Sequence, residues 1–507
     1  MATSTTWTVS GVIFISLGIF IGWYLFPNTI KSQVGKAKLL RKGNEMRTAW
    51  AKFPISLDFK IYLFNVTNPE EVENGGKPIM QQVGPYFFHE WKEKVNLVDD
   101  PKEDTVSYNF LNSFMFNASV TQPLTGMEKI TMPHPLMLAL TQITEEIKPS
   151  ALNVANKAHP HILGTKDSFL VTDTAMNILF DGLLVNCSKH KEFAANAVCG
   201  QLKANPKGLV KLDEDNFLFS FFGAVNGTPY AETMTVKRGM QNVMDVGQVV
   251  MFDGKSKMDK YSGDPCNDIR GTDTTIFPPF MGRSDVWSFG AEICRSMPAK
   301  YVRDAEYNGI MCYYYDADFG DMSTDPDLKC FCPTNTTCLK KGAFSLQQCT
   351  GAPIIATLPH FFKCHEDYIN GVGGVNPTEE DHGIRSYFEP ITGTPLSGRR
   401  RLQFNMFLKN VPKITVLQNI TGPPVLVPLI WIEEGVDLGT DITGKVKTFL
   451  YTAPSVMNKV RYVLVLIGIL MIGYAVFKHY NKTKLESDGS KADSDNKTTI
   501  TQVSPAY

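Results

Sequence analysis

Residues able to do chemistry occur in this 507-residue chain, but not in the patterns that catalysis requires. His89-Glu90 and His365-Glu366 each lack the second histidine, at helical spacing, that would complete a zinc-peptidase site. His134, His159, His161 and His360 stand beside prolines in turn-like contexts, where a hydrogen-bonding or surface histidine is expected rather than a metal ligand. Gly371-Val-Gly-Gly374 has no preceding strand and no third glycine, so it reads as a turn. Serine elbows, phosphate loops and dinucleotide fingerprints are missing. The expectation is a protein that is not an enzyme, with no catalytic residues, no metal and no cofactor.

The remaining chemistry is that of an oxidising compartment. All 10 cysteines lie between Cys187 and Cys364. The cluster Cys330-Phe-Cys332, Cys338 and Cys349 lacks the C-x2-C pairs of a zinc ribbon and favours disulfides, whose pairing the spacing leaves open. Glycosylation acceptors occur at Asn65, Asn117, Asn186, Asn226, Asn335 and Asn419. Arg399-Arg400-Arg401 reads as a processing site, an anionic-ligand patch or, preferred here, a solvated strand start.

The elements that must hold these residues begin at the two ends. No charged side chain interrupts Thr8 to Phe26, and about 20 apolar residues cross a bilayer as a helix. A cleaved signal peptide is the rival reading, but basic residues before the run and a small-residue cleavage site after it are missing. Tyr462 to Phe477 forms a second run, between Lys459/Arg461 and Lys478/His479. The expected organisation is an N-terminal tail (1–7), a first span (8–27), a large segment (28–457), a second span (458–478) and a C-terminal tail (479–507). Lys31, Lys36, Lys38, Arg41 and Lys42 would pull the flank of the first span into the cytoplasm. The sequons and cysteines outweigh them, and long domains translocate largely regardless of flanking charge. The large segment is therefore expected outside the cell or in a lumen, and both tails in the cytoplasm. Gly18 and Gly22 offer a close-packing face for the other span or for a second subunit.

Within the large segment the pattern is mostly that of strands. Tyr108, Phe110, Phe114 and Phe116 fall on one face of a strand, and Phe217, Phe219 and Phe221 repeat the alternation. Ile61 to Val66 and Val425 to Trp431 are further strands, the latter limited by Pro428 to an edge or a bulge. Helical spacing appears at Leu136, Leu140, Ile143 and Ile147, and again at Met176, Leu179 and Leu183 after a cap at Asp173, with a more polar stretch from Ala151 to Ser168 between. A large antiparallel β body with a helical insertion near 135–184 follows, and the polar tail from Asn481 reads as disordered. With 50 Lys+Arg against 51 Asp+Glu, a nucleic-acid partner is not expected.

Longer motifs carry a resemblance. Asn267-Asp-Ile-Arg-Gly-Thr-Asp-Thr-Thr-Ile-Phe-Pro-Pro-Phe280, Ile293-Cys-Arg-Ser296, Phe64-Asn-Val-Thr-Asn-Pro69, Gly84-Pro-Tyr86, Cys330-Phe-Cys332, Leu358-Pro-His-Phe361 and Arg401-Leu-Gln-Phe-Asn405 recur in order over nearly the whole chain. In them the chain resembles the class B scavenger receptors, the fatty-acid translocase-like family. Asn65 to Val72, Glu103 to Ser107, Pro123-Leu-Thr-Gly126 and Trp431-Ile-Glu-Glu-Gly435 are most similar to its insect sensory neuron membrane proteins.

The resemblance implies a fold that is mainly β with α: an extracellular antiparallel β-barrel with a helical cap and an apolar tunnel, anchored by two transmembrane helices. It implies the bridges Cys266–Cys330, Cys294–Cys349 and Cys332–Cys338; a local Cys187–Cys199 bridge is expected beside them, with Cys312 and Cys364 unassigned. Lys166 aligns with a family position that engages acidic lipid headgroups, against the plain reading of an exposed lysine. Phe110, Phe114, Phe217 and Phe219 are expected to line the tunnel, a sealed core being the competing role for each ring. The implied function is a plasma-membrane receptor or co-receptor on sensory dendrites. It would capture lipophilic semiochemicals such as fatty-acid-derived pheromones and pass them to an odorant-receptor channel, with carrier proteins as further partners. A general scavenger or lipid-uptake receptor for fatty acids and lipoproteins is the alternative, and a lysosomal trafficking protein is a weaker one, since the tail shows no acidic dileucine signal.

Overall fold

The computed structural model describes residues 3–334 and 337–498, with side chains up to residue 489. Two compact units emerge, one from the two ends of the chain (1–36 and 439–507) and one from residues 37–438.

In the first unit, helix α1 (Ser4–Lys38) packs along the long C-terminal helix, both long and apolar enough to cross a membrane. Small residues permit the contact. A Cβ on Gly11 would meet Ile472 Cγ1 at 2.6 Å, one on Gly18 would meet Val465 Cγ2 at 3.1 Å, and one on Gly468 would lie 2.6 Å from the Gly11 carbonyl. The glycine face therefore serves the other span and extends from Gly11 to Gly22. Trp7 meets Tyr474 edge-on at 5.2 Å and Trp23 meets Tyr462 at 5.9 Å. These two pairs lie roughly 24 Å apart along α1 at 1.5 Å per residue, a spacing suited to aromatic belts at two interfaces. Where composition beyond Asn481 suggests disorder, the backbone instead stays helical to Thr498.

The second unit is built on a 13-stranded antiparallel sheet. Its main path uses β1 (Leu57–Val66), β2 (Met80–Asp100), β3 (Thr105–Phe116), β4 (Met234–Lys237), β5 (Val249–Phe252), β6 (Val286–Gly290), β7 (Arg295–Tyr307), β8 (Ile310–Ala317), β9 (Ile384–Glu389), β10 (Thr394–Leu408) and β11 (Val425–Asp437). Their order is β5-β4-β3-β2-β1-β11-β10-β9-β8-β7-β6. The sheet curls into a nearly closed barrel, and the motif at Gly271-Thr-Asp273 spans the gap. Val249 N–H donates to the Gly271 carbonyl (2.9 Å) and Phe289 N–H to the Thr272 carbonyl (2.8 Å), so one short segment bonds to both end strands. Gly271 adopts φ +84° against the Trp287 backbone, where a Cβ would collide with the carbonyl. Asp273, two residues on, is buried and accepts from Tyr108 Oη (2.7 Å) and Trp50 Nε1 (3.1 Å).

Period-two alternation builds the wall: β1 buries Leu57, Phe59, Ile61 and Leu63 while intervening side chains are mostly half-exposed. β11 is central, between β1 and β10, rather than an edge, and its Pro428 sits at a register shift opposite Asn405, where no ladder N–H is needed.

The helical region departs from its sequence reading. Pro135–Ile147 is a helix, α2, capped by His134, whose Nδ1 accepts from Met137 N–H. The polar stretch contains α3 (Leu152–Ile162), which buries Leu152, Ala155, Ala158, His159 and Ile162, and α4 (Phe193–Ala204) lies beyond the expected limit. Met176 to Leu183 is not a helix of any length. It follows a strand (Leu170–Thr174) paired with Lys129–Pro133, makes one turn at Asn177–Asp181, and enters another strand at Leu183 through Gly182 at φ +106°. His134 and His159 are buried rather than at the surface, and burial lowers both to about 4, leaving them neutral.

Candidate functional site

The barrel encloses a cavity of about 620 Å³ whose wall includes Phe59, Phe110, Phe114, Phe221, Phe222 and Phe404. The aromatic face read from β3 supplies two of these rings, and Phe114 packs against Phe59 (4.8 Å) and Phe222 (5.9 Å). Phe217 and Phe219, expected beside them, are not on this wall. Their strand is three residues long and pairs with Leu183–Val185 and Leu209–Lys211, which places Phe217 in the core and Phe219 against it. The chain then turns at Ser220, whose hydroxyl donates to the Phe180 carbonyl (3.0 Å) and accepts from Gly223 N–H. That turn delivers Phe221 and Phe222 to the cavity in their place. A second cavity of about 250 Å³ shares Arg400, Leu402 and Glu434 with the first.

The wall is not apolar throughout. Side chains facing Phe59 and Phe114 from neighbouring strands are Glu90 and Lys92 of β2, Asn112 of β3, Arg400 of β10 and Glu434 of β11, with Glu292 from the turn after β6. Lys92 Nζ lies 2.8 Å from Glu434 and 3.7 Å from Glu90, and Arg400 reaches Glu292 at 3.2 Å. Burial alone would depress the Lys92 ammonium, but Glu434 and Glu90 hold it above its ordinary value. Burial would raise Glu292, yet Arg400 and Lys92 bring it down to about 2. Glu90 goes the other way: burial dominates, Lys92 offsets it only in part, and the carboxyl is pushed up to about 8. Three carboxyl groups share two cations, and Glu90, the most enclosed, is the one left protonated near neutrality.

This charged belt escaped the sequence reading. The Arg399–Arg401 run is not a solvated strand start. It lies mid-strand in β10, and alternation sends Arg400 to the cavity and its neighbours to the opposite face. Arg401 lies 2.6 Å from Glu433, and Arg399 pairs with Glu433 and Asp437. The signal that was available is Glu433-Glu434, the matching doublet on the adjacent strand.

Lys166 is exposed on the loop after α3 and, among the described residues, has no ion-pair partner. It is not among the cavity-wall residues. The structure holds the bridges Cys187–Cys199, Cys266–Cys330, Cys294–Cys349 and Cys332–Cys338, each with Cα atoms 4.7–5.8 Å apart; Cys312 and Cys364 are free. Among the sequons, Asn226 and Asn419 are exposed, Asn65, Asn117 and Asn186 are half-buried, and Asn335 lies outside the described residues.

The model of the CD36 family matches residues 9–479. The chain belongs to the CD36 family. Among curated CD36-like relatives it is similar to sensory neuron membrane protein 1 of Apis mellifera, 42% identical over 482 residues, covering 94% of this chain and 92% of that protein. It is similar also to the protein of that name from Manduca sexta, 39% identical over 508 residues, covering 100% of this chain and 95% of the relative. The protein of the same name from Pediculus humanus subsp. corporis is 39% identical over 484 residues, covering 95% and 93%. With two candidate spans and these membrane-protein relatives, this CD36-family chain is a membrane protein.

Proposed function

We propose that this protein is a membrane receptor or co-receptor of chemosensory neurons that takes lipophilic semiochemicals, such as fatty-acid-derived pheromones, into its barrel and delivers them to an odorant-receptor channel. The phenylalanine-walled cavity carries the reading. Its volume of about 620 Å³ lies within the roughly 300–1,000 Å³ of small-molecule sites. Each methylene buried there gains about 0.8 kcal/mol, so an aliphatic chain partitions into it without covalent chemistry. The sensory-neuron assignment is supported by the names of the relatives. In this reading residues 28–457 face the exterior and both tails the cytoplasm, supported by the four bridges and the sequons. Odorant-binding carriers would deliver the ligand, and Lys166, exposed and without an ion-pair partner among the described residues, would meet carboxylate or ester headgroups on entry.

Native mass spectrometry of the detergent-solubilised protein with fatty acids, alcohols and esters tests the capture step. One bound aliphatic ligand per chain is expected, and failure of every ligand to bind would overturn the proposal. Transcript abundant in gut or haemocytes and absent from antennae would leave capture intact and move the reading to general lipid uptake. Peptide-N-glycosidase treatment is expected to shift the protein on a gel; an unchanged band contradicts the external placement.

A further inference from the structure

We propose that Glu90 and Asn112 form a seat in the cavity wall for the uncharged oxygen headgroup of a long-chain ligand, a hydroxyl, aldehyde or ester, and that this seat turns carboxylates away. The inference rests on the lipid-capture reading and names the ligand class for the same cavity.

Two buried atoms motivate it. Glu90 and Asn112 are 1% and 5% exposed, yet among the described residues Glu90 Oε2 and Asn112 Oδ1 have no hydrogen-bond partner. Both residues line the cavity. Buried polar atoms are nearly always paired, and two unpaired ones on one wall mark a place where something else supplies the partner. The strand register puts them within reach of a single group. Lys92 lies opposite Asn112 and Glu90 opposite Phe114, so Glu90 and Asn112 are diagonal neighbours on one face, roughly 7–8 Å apart at the backbone. Tyr230 Oη, 3.5 Å from Asn112 Nδ2, closes the polar patch, and Phe114 and Phe222 flank it with apolar surface.

Charge decides the class of headgroup. The groups facing Glu90 are Lys92 on its own strand, Glu434 on β11, Arg400 on β10 and Glu292 from the turn after β6. Lys92 is committed to Glu434 and Arg400 to Glu292, so among the described residues that line the cavity at this depth neither cation is left unassigned. An arriving carboxylate would meet three carboxyl groups and lose its hydration without gaining a counter-ion. An uncharged headgroup loses far less. The protonated Glu90 donates to its oxygen, Asn112 Oδ1 accepts from a hydroxyl, and a carbonyl uses the first bond alone. The lysines at the cavity mouth, Lys207, Lys255 and Lys260, are exposed, and water screens them.

The test uses the full-length protein in detergent, with hexadecan-1-ol, palmitate and hexadecane displacing a fluorescent alkyl probe, each corrected for its measured micelle partition. At pH 7 the alcohol is expected to compete about tenfold better than palmitate. Asn112→Leu weakens the alcohol about three- to tenfold, the worth of one hydrogen bond, and leaves hexadecane within about twofold. Raising the pH to 9 removes the Glu90 donor and so weakens methyl palmitate, an added probe that can only accept, in the wild type but not in Glu90→Gln, whose amide still donates and which serves if Asn112→Leu does not fold. Palmitate equalling the alcohol, or a pH response retained in Glu90→Gln, overturns the seat. Hexadecane binding with no headgroup discrimination defeats the seat alone, whereas failure of every probe defeats lipid capture and the seat with it.

Discussion

The two faces of one strand pair, β10 with β11, solve opposite charge problems. On one face Glu433 meets three cations, Lys60 at 2.8 Å, Arg401 at 2.6 Å and Arg399 at 3.6 Å, and Asp437 shares Arg399 with it. Arg401 further donates to the Gly383 carbonyl at 2.6 Å, tying a loop to the barrel. On the cavity face three carboxyl groups share Lys92 and Arg400, and one carboxyl oxygen has no partner among the described residues. Adjacent residues therefore differ in role: a saturated cluster holds the fold, and an under-supplied one keeps bonding capacity for a guest. A buried ion pair is weak evidence for stability by itself, but removing one partner exposes its cost.

The largest effect expected from breaking this contrast is at Glu433. Glu433→Gln takes the carboxylate from Lys60 and Arg401, leaves Arg399 with Asp437 alone, and should cost about 3–5 kcal/mol. The thermal melting point in detergent should drop sharply, while ligand affinity of the folded fraction stays unchanged. A comparable loss is expected for Phe217→Ala, about 3–5 kcal/mol for a core phenylalanine, whereas Phe114→Ala should act mainly on binding of an aliphatic probe. Equal effects of the two on affinity would erase the distinction between core and cavity wall.

Glu90 gives the next effect, on the order of a few kcal/mol, and its sign is fixed. Its carboxyl titrates near 8 in the folded chain, above the ordinary value of 4.5, so between these values the folded state keeps a proton that the unfolded chain has released. Its contribution is full below about 4.5 and is lost as the pH rises through about 8. The wild type should therefore melt lower at pH 8.5 than at pH 6, and Glu90→Gln should flatten that slope. The smallest effect is at Lys166: Lys166→Ala should change stability by less than about 0.5 kcal/mol, so any fall in carboxylate affinity reports a headgroup contact alone.

How legible each region was follows from the range of its interactions. The β3 face from Tyr108 to Phe116 could be read because period-two aromatics are a local signal, and α2 because Leu136, Leu140 and Ile143 repeat at helical spacing. Helix α3 hid because His159, Pro160 and His161 occupy its last turn, and α4 because alanines form much of its buried face. Phe217 and Phe221 look alike in sequence; only the turn at Ser220 and Gly223 assigns one to the core and the other to the cavity. The charged belt was least legible. Three consecutive arginines carry no record of which face each takes, and their partners lie on strands distant in sequence.

The position of a bound aliphatic ligand is the most direct test. A structure of the detergent-purified protein with 16-bromohexadecan-1-ol should show one chain in the barrel, its bromine away from the charged belt. Its hydroxyl should lie within hydrogen-bond distance of Glu90 Oε2 or Asn112 Oδ1. Ligand density confined to the outer surface, with Phe110, Phe114 and Phe222 still facing an empty cavity, would contradict it.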